Sequence, residues 1–260
     1  MMSRAKWIVR ELGPPLAGVA ALIGVWAVVA AFTSSSTLPS PAQVWSSFLH
    51  GMSNGTITNA TWKTLIRLAF SFVVAVIVGT AIGFGLAQHE FARRSIRPLI
   101  VALQIAPSIA WLPLAIVWFG LTERAVVFVA IVGSFPSMTL ATIASFRTVP
   151  PILKRAGRNL GAGGWQLYRH VIFPAALPGY VAGLQQAWGF AWRALMAGEL
   201  ITAGLRATGL GQLLARSQQN VPALLSVVAV IVAIGVAVDY LVFGRLDIRV
   251  RKRRGLYLSA

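Results

Sequence analysis

Six runs of apolar residues, at roughly 15–32, 62–87, 96–119, 125–146, 176–202 and 222–244, leave this chain few ways to fold. Each approaches the ~20 residues that a helix needs to cross hydrocarbon. Charged residues make up only 11% of the sequence and hydrophobic ones 57%, whereas a soluble domain carries about 25% charged residues. The expected fold class is all-α: a polytopic membrane protein with six transmembrane helices. Pro98, Pro107 and Pro113 fall in the third run, which predicts a kinked or broken helix there. The first run follows Arg4, Lys6 and Arg10 and ends near Val28-Val29-Ala30-Ala31, the outline of a secretory signal. Its length and the five runs behind it favour a retained span.

The charge balance sets an orientation. The chain holds 23 lysines and arginines against six acids, a net charge of +17. Most of these cations sit in the segments before the first run, between the second and third, between the fourth and fifth, and after the sixth. By the positive-inside rule those segments, and both termini, are expected in the cytoplasm. Residues 1–14 are then a cytoplasmic segment, 15–244 a transmembrane domain and 245–260 a basic cytoplasmic tail facing lipid headgroups. A nucleic-acid partner is not expected, because the cations lie beside apolar runs rather than in one polar domain. Outside, Val44–Leu49 and the Leu210, Leu213, Leu214 spacing predict short helices. The chain has no cysteine, so neither a disulfide framework nor thiolate chemistry is available.

Between the fourth and fifth runs lies an island that fits neither lipid nor plain solvent, Lys154 to Pro178. Lys154, Arg155, Arg158 and Arg169 alternate with Trp165, Leu167, Val171 and Ile172, and Gly161, Gly163 and Gly164 interrupt it. Pro150 and Pro151 predict a helix start. Trp165–His170 predicts a second short helix, ended by Pro174. Two short helices at an angle, outside the bilayer, make a rigid lever.

This island resembles the Glu-Ala-Ala loop of ABC importer permeases. The pattern maps onto Arg155-Ala156-Gly157, then Gly161, then Val171-Ile172-Phe173-Pro174. The stretches Leu38-Pro39-Ser40-Pro41 and Ala191-Trp192 to Glu199-Leu200 extend the likeness to permeases for nitrate, taurine and aliphatic sulfonates. The resemblance implies a type I ABC importer permease fold and a coupling loop at 150–174 that docks on an ATPase subunit. Arg155, Ala156, Gly157, Gly161, Trp165, Val171 and Pro174 would be its contact and hinge residues. It implies a homodimer in a bacterial inner membrane, two ATPase copies that bind ATP and Mg, and an extracytoplasmic solute-binding protein. One departure matters: the family's glutamate is Arg155 here, and its second alanine is Gly157.

The chain carries no G-x-x-x-x-G-K-[ST] phosphate loop, so ATP hydrolysis is expected in a separate polypeptide and this chain is not expected to be an enzyme. HExxH, GxSxG and clustered His/Cys signatures are also absent, and His50, His89 and His170 are scattered; no metal or cofactor is expected on this chain. Two polar stripes at helical spacing remain: Gln104, Ser108 and Trp111 in the third run, and Gln185, Trp188, Trp192 and Glu199 in the fifth. They either line a translocation path or hydrogen-bond between helices and mark the interfacial belts. Arg193 is either an attractor for an anionic solute, a side chain that snorkels toward the outer interface, or the partner of Glu199 or Glu123. Gly79 with Gly83, and Gly179 with Gly183, permit close helix contact, within one subunit or between two. The alternative function is an ion-coupled secondary transporter or channel, for which membrane-embedded acids are scarce.

Overall fold

The computed structural model describes residues 4–33, 37–204 and 208–253, with side chains described between Ala17 and Lys252. The side chains of Arg4, Lys6 and Arg10, and residues Ser34-Ser35-Ser36, Arg206 and Arg254, lie outside that description. The described residues are helical almost throughout. In order they form α1 (Arg4–Ala31), α2 (Pro41–Ser53), α3 (Thr56–Gln88), α4 (Glu90–Ile105), a 3-10 turn at Ser108–Trp111 and α5 (Leu112–Phe119). There follow α6 (Glu123–Arg147), α7 (Pro151–Asn159), α8 (Gly164–Leu167), a π turn at Tyr168–Ile172 and α9 (Phe173–Ile201). The chain closes with α10 (Leu210–Arg216), α11 (Val221–Val238), a second π turn at Asp239–Gly244 and α12 (Arg245–Arg253).

Among the described residues three helical stretches are long and apolar enough to cross a membrane: Thr56–Gln88, Glu123–Arg147 and Val221–Lys252. The pair Glu90–Ile105 and Ser108–Phe119 makes a fourth if counted as one span, bent by 97°. The bend falls at Ala106–Pro107, where proline has no N–H to continue the ladder, as the sequence led one to expect. The other two expected spans fall on α1, whose apolar part is Ala17–Ala31, and on the 29-residue α9, which Gln185, Gln186, Arg193 and Glu199 make more polar.

α6 is the centre of the bundle, packed between α3 and α9. Glycines set that distance. A Cβ on Gly79 would meet Met138 Cβ at 2.7 Å and Phe135 O at 2.8 Å. One on Gly83 would meet Thr139 O at 2.6 Å and Thr142 Cβ at 2.7 Å. On the other side of α6, Gly183 closes against Ala141, and a Cβ on Gly179 would lie 3.0 Å from Ser145 Oγ. Both glycine pairs therefore serve packing within the subunit. Four buried hydroxyls of α6 turn inward on their own helix: Ser134, Thr139, Thr142 and Ser145 donate to carbonyls four residues back, a local pairing that needs no partner from a neighbouring helix; Ser137 Oγ, also buried, has no such partner among the described residues.

At one end of the bundle α2 begins with a capping box, Ser40 Oγ accepting from Gln43 N–H while Gln43 Oε1 accepts from Ser40 N–H. α10 completes the same end, so both short helices expected from the sequence form. The opposite end carries α7, α8 and the α3–α4 corner.

Candidate functional site

α7 starts with Pro151 in its first turn, behind Pro150 in extended backbone. It ends in a Schellman motif: Ala162 N–H donates to Gly157 O at 3.0 Å and Gly161 N–H to Arg158 O at 2.9 Å. Gly161 has φ +85°, the left-handed geometry that a side chain would oppose. Gly157 is buried; a Cβ there would meet Leu167 Cδ1 at 2.8 Å and Val171 Cγ2 at 2.9 Å. That contact explains why glycine replaces alanine in the pattern: α7 lies too close to the helix after it for a methyl group.

Pro174 does not end the second helix of the island. α8, the π turn and α9 form one continuous helical run from Gly164 to Ile201. Phe173 N–H donates to Tyr168 O, five residues back. The wider π turn makes room for the Pro174 ring and places its missing N–H where the ladder is already shifted. The lever is thus fused to α9 rather than hinged from it.

The island is anchored by its own small core. Leu167 and Ile172 are buried with Phe146, Val149 and Ala176, against Phe84, Ala162, Tyr168 and Val171. Phe84 stacks edge-on to Phe146 at 5.3 Å and to Tyr168 at 5.8 Å. These residues come from the ends of α3, α6 and α9, so three long helices share one contact with the loop. Beside it, Glu90 accepts from Arg93, Arg94 and Arg147 and ties α4 to the end of α6. Arg155, Arg158 and Arg169 are exposed, as are Trp165 at 70% and Leu160 at 88%.

The polar stripe of α9 faces protein. Gln185 Nε2 donates to Asp239 Oδ1 at 2.8 Å. Trp188 and Trp192 stack with centroids 6.2 Å apart, and Trp192 belongs to the core formed with Leu68, Val126, Leu195 and Leu210. In the third run Gln104 is half-buried near the end of α4. Ser108 sits where α6 and α9 meet: a Cβ on Gly133 would touch Ser108 Cβ at 2.9 Å and Ala194 Cβ at 2.8 Å. Trp111 packs beside the buried Leu112, Ala115, Ala125 and Val129.

Arg193 pairs with neither expected acid. It is exposed, and its guanidinium lies over the Phe190 ring, 4.9 Å from the centroid. Both acids go to Arg67 instead. Arg67 Nη1 donates to Glu199 Oε1 at 2.8 Å and Nη2 to Glu123 Oε1 at 2.7 Å. Glu199 is fully buried; it also accepts from Thr64 Oγ1, at 3.0 Å to Oε1 and 2.9 Å to Oε2, and from Gly211 N–H at 3.0 Å. Thr64 Oγ1 in turn accepts from Leu210 N–H at 2.8 Å. Arg67 is the site residue that the sequence analysis does not single out. The signal was there: an arginine several residues inside an apolar run needs a counter-ion, and only six acids exist to supply it.

A bundle of long apolar helices with a structured basic loop at one end defines a class: a polytopic membrane protein. Comparisons with known proteins narrow it. The sequence profile of binding-protein-dependent transport system inner membrane components matches residues 75–252, and the chain belongs to that family. It is 30% identical over 210 residues to the taurine transport system permease protein TauC of Escherichia coli K12, covering 77% of this chain and 76% of that one. It is 27% identical over 200 residues to the nitrate import permease protein NrtB of Synechocystis, covering 74% and 72%. The fold matches the inward-facing MetNI methionine ABC transporter with a TM-score of 0.62, at 21% identity, over 75% of this chain and 96% of that one. An amino acid ABC transporter crystallised with histidines matches with a TM-score of 0.55, at 20% identity, over 79% and 98%. The type I ABC importer permease fold, the ABC permease role and the inner-membrane setting therefore stand. In this family the ATPase is a separate subunit.

Proposed function

We propose that this chain pairs with a second copy to form one translocation path, driven by two copies of the separate ATPase and fed by an extracytoplasmic binding protein. The observation that carries the reading is the fusion of the coupling loop to α9 with shared anchorage on α3 and α6. A push on Arg155–Pro174 then reaches three spans at once without a flexible joint. ATP and Mg belong to the partner subunit, whose closure on binding them supplies the push. The basic loop, Gly161 and the Trp165 side chain face the cytoplasm, with both termini on that side.

The solute is a small anion or zwitterion of the sulfonate, taurine or nitrate kind. Relatives named for taurine, nitrate and bicarbonate transport support this, and so does Arg193. It is the only cation in α9 and makes no ion pair among the described residues. It lies on a face of α9 that the subunit leaves open, together with Gly179, Ala182, Gln186 and Leu200. That face is offset from the Gln185–Trp188–Trp192–Glu199 stripe, and a second subunit could close a path over it.

Reconstitution tests the whole reading. In proteoliposomes holding this chain, its ATPase and its binding protein, labelled taurine, sulfonate or nitrate should accumulate only with ATP. Arg193→Gln should cut that uptake about ten-fold, the equivalent of one lost charge contact, while ATPase retention is unchanged. Accumulation by the chain alone, down an ion gradient, would instead establish the secondary-transporter alternative.

A further inference from the structure

Charge on the coupling loop is one-sided. Residues 151–174 contain Lys154, Arg155, Arg158 and Arg169 and no acid. None of these four takes part in an ion pair among the described residues. Glu90, on the neighbouring α4, is already shared among Arg93, Arg94 and Arg147. On α7 the spacing i, i+3, i+6 sets Ile152, Arg155 and Arg158 along one face, opposite the side where Gly157 seals against Leu167 and Val171. Ile152 is 68% exposed, Leu160 88% and Trp165 70%. Exposed aromatic and aliphatic anchors rimmed by cations are the composition of a protein-binding surface. The Schellman turn fixes that surface in one shape before any partner arrives, which a fluid lipid surface would not require.

We propose that the ATPase surface receiving this loop is acidic: an apolar pocket for Trp165 and Leu160, rimmed by carboxylates that meet Arg155 and Arg158. The inference rests on the reading that this loop is the ATPase contact. The receptor thus carries the sign opposite to the one a glutamate at position 155 would demand. A partner evolved for a loop with an acid there would be repelled by this one.

The test uses the full chain in nanodiscs with the ATPase that co-purifies with it. Arg155→Glu/Arg158→Glu should weaken ATPase retention by about ten-fold or more, and retention by the unaltered chain should fall as NaCl rises. Lysine substitutions at ATPase carboxylates cross-linked to position 155 should restore the reversed pair. Trp165→Ala and Gly157→Leu report on docking independently of charge. If they release the ATPase while the charge reversal leaves retention and its salt dependence unchanged, the acidic receptor is overturned and docking stands. If neither kind of variant matters, the docking reading falls as well. If the reversal acts only in phosphatidylglycerol nanodiscs and not in phosphatidylcholine ones, the basic face serves the bilayer and the proposal is overturned.

Discussion

Glu199→Ala should cost about 3–5 kcal/mol of stability, the range for removing one partner of a buried ion pair. The carboxylate is fully buried and takes hydrogen bonds from Arg67, Thr64 and Gly211 N–H. Its loss leaves an arginine that is 7% exposed with only Glu123 to hold it, and strands a backbone N–H of α10. Glu123 is 54% exposed, so Glu123→Ala should cost less than about 1 kcal/mol. Glu199→Gln keeps an acceptor for Gly211 N–H but not the charge, and should fall between. Arg67→Met/Glu199→Leu removes both charges together and should recover part of the loss, because burying apolar atoms there is cheaper than burying one unpaired charge. Thermal unfolding of the detergent-purified protein, followed by size exclusion, orders the series. Equal losses for Glu123→Ala and Glu199→Ala would contradict this assignment.

Gly83→Ala should also destabilise, though by less than Glu199→Ala, and Gly83→Leu should abolish the folded protein. A Cβ at this position falls 2.6 Å from the Thr139 carbonyl, and a backbone atom in the middle of α6 cannot swing aside. Overpacking of this kind costs about 1–3 kcal/mol for small increments. The comparison is Gly85→Ala, two residues along the same helix, where a Cβ meets nothing within 4 Å. That change should be neutral or stabilise by up to about 1 kcal/mol, through helix propensity. Expression and melting temperature of the two alanine variants, measured side by side, separate close contact from propensity. Similar values would mean that α3 and α6 do not depend on the glycine for their approach.

The sequence revealed the elements better than their faces. Apolar length gave the long helices, Pro107 gave the break, and the glycine spacing gave a close contact. What it did not give is which side of α9 is buried. A membrane helix is apolar toward lipid and toward protein alike, so the pattern that marks the core of a soluble helix is nearly flat here. Polar residues then became the only guide, and Gln185, Trp188, Trp192 and Glu199 do share a face. That face is turned inward, with Gln185 on Asp239 and Glu199 on Arg67. The partner of Glu199 was invisible because 132 residues separate it from Arg67. Pro174 misled for a different reason: its stop signal presumes an α-helical ladder, and the π turn before it is not one.

That turn also fixes the indexing of everything downstream. Each residue of a helix rotates it by about 100°, and no flexible link between Gly164 and Ile201 can absorb an offset. Adding or removing one residue between Pro174 and Phe190 would therefore screw the rest of α9 about its axis, carrying Arg193 off its open face while the loop stayed seated. In this protein the phase of the fifth span is set at the point where the lever grips it.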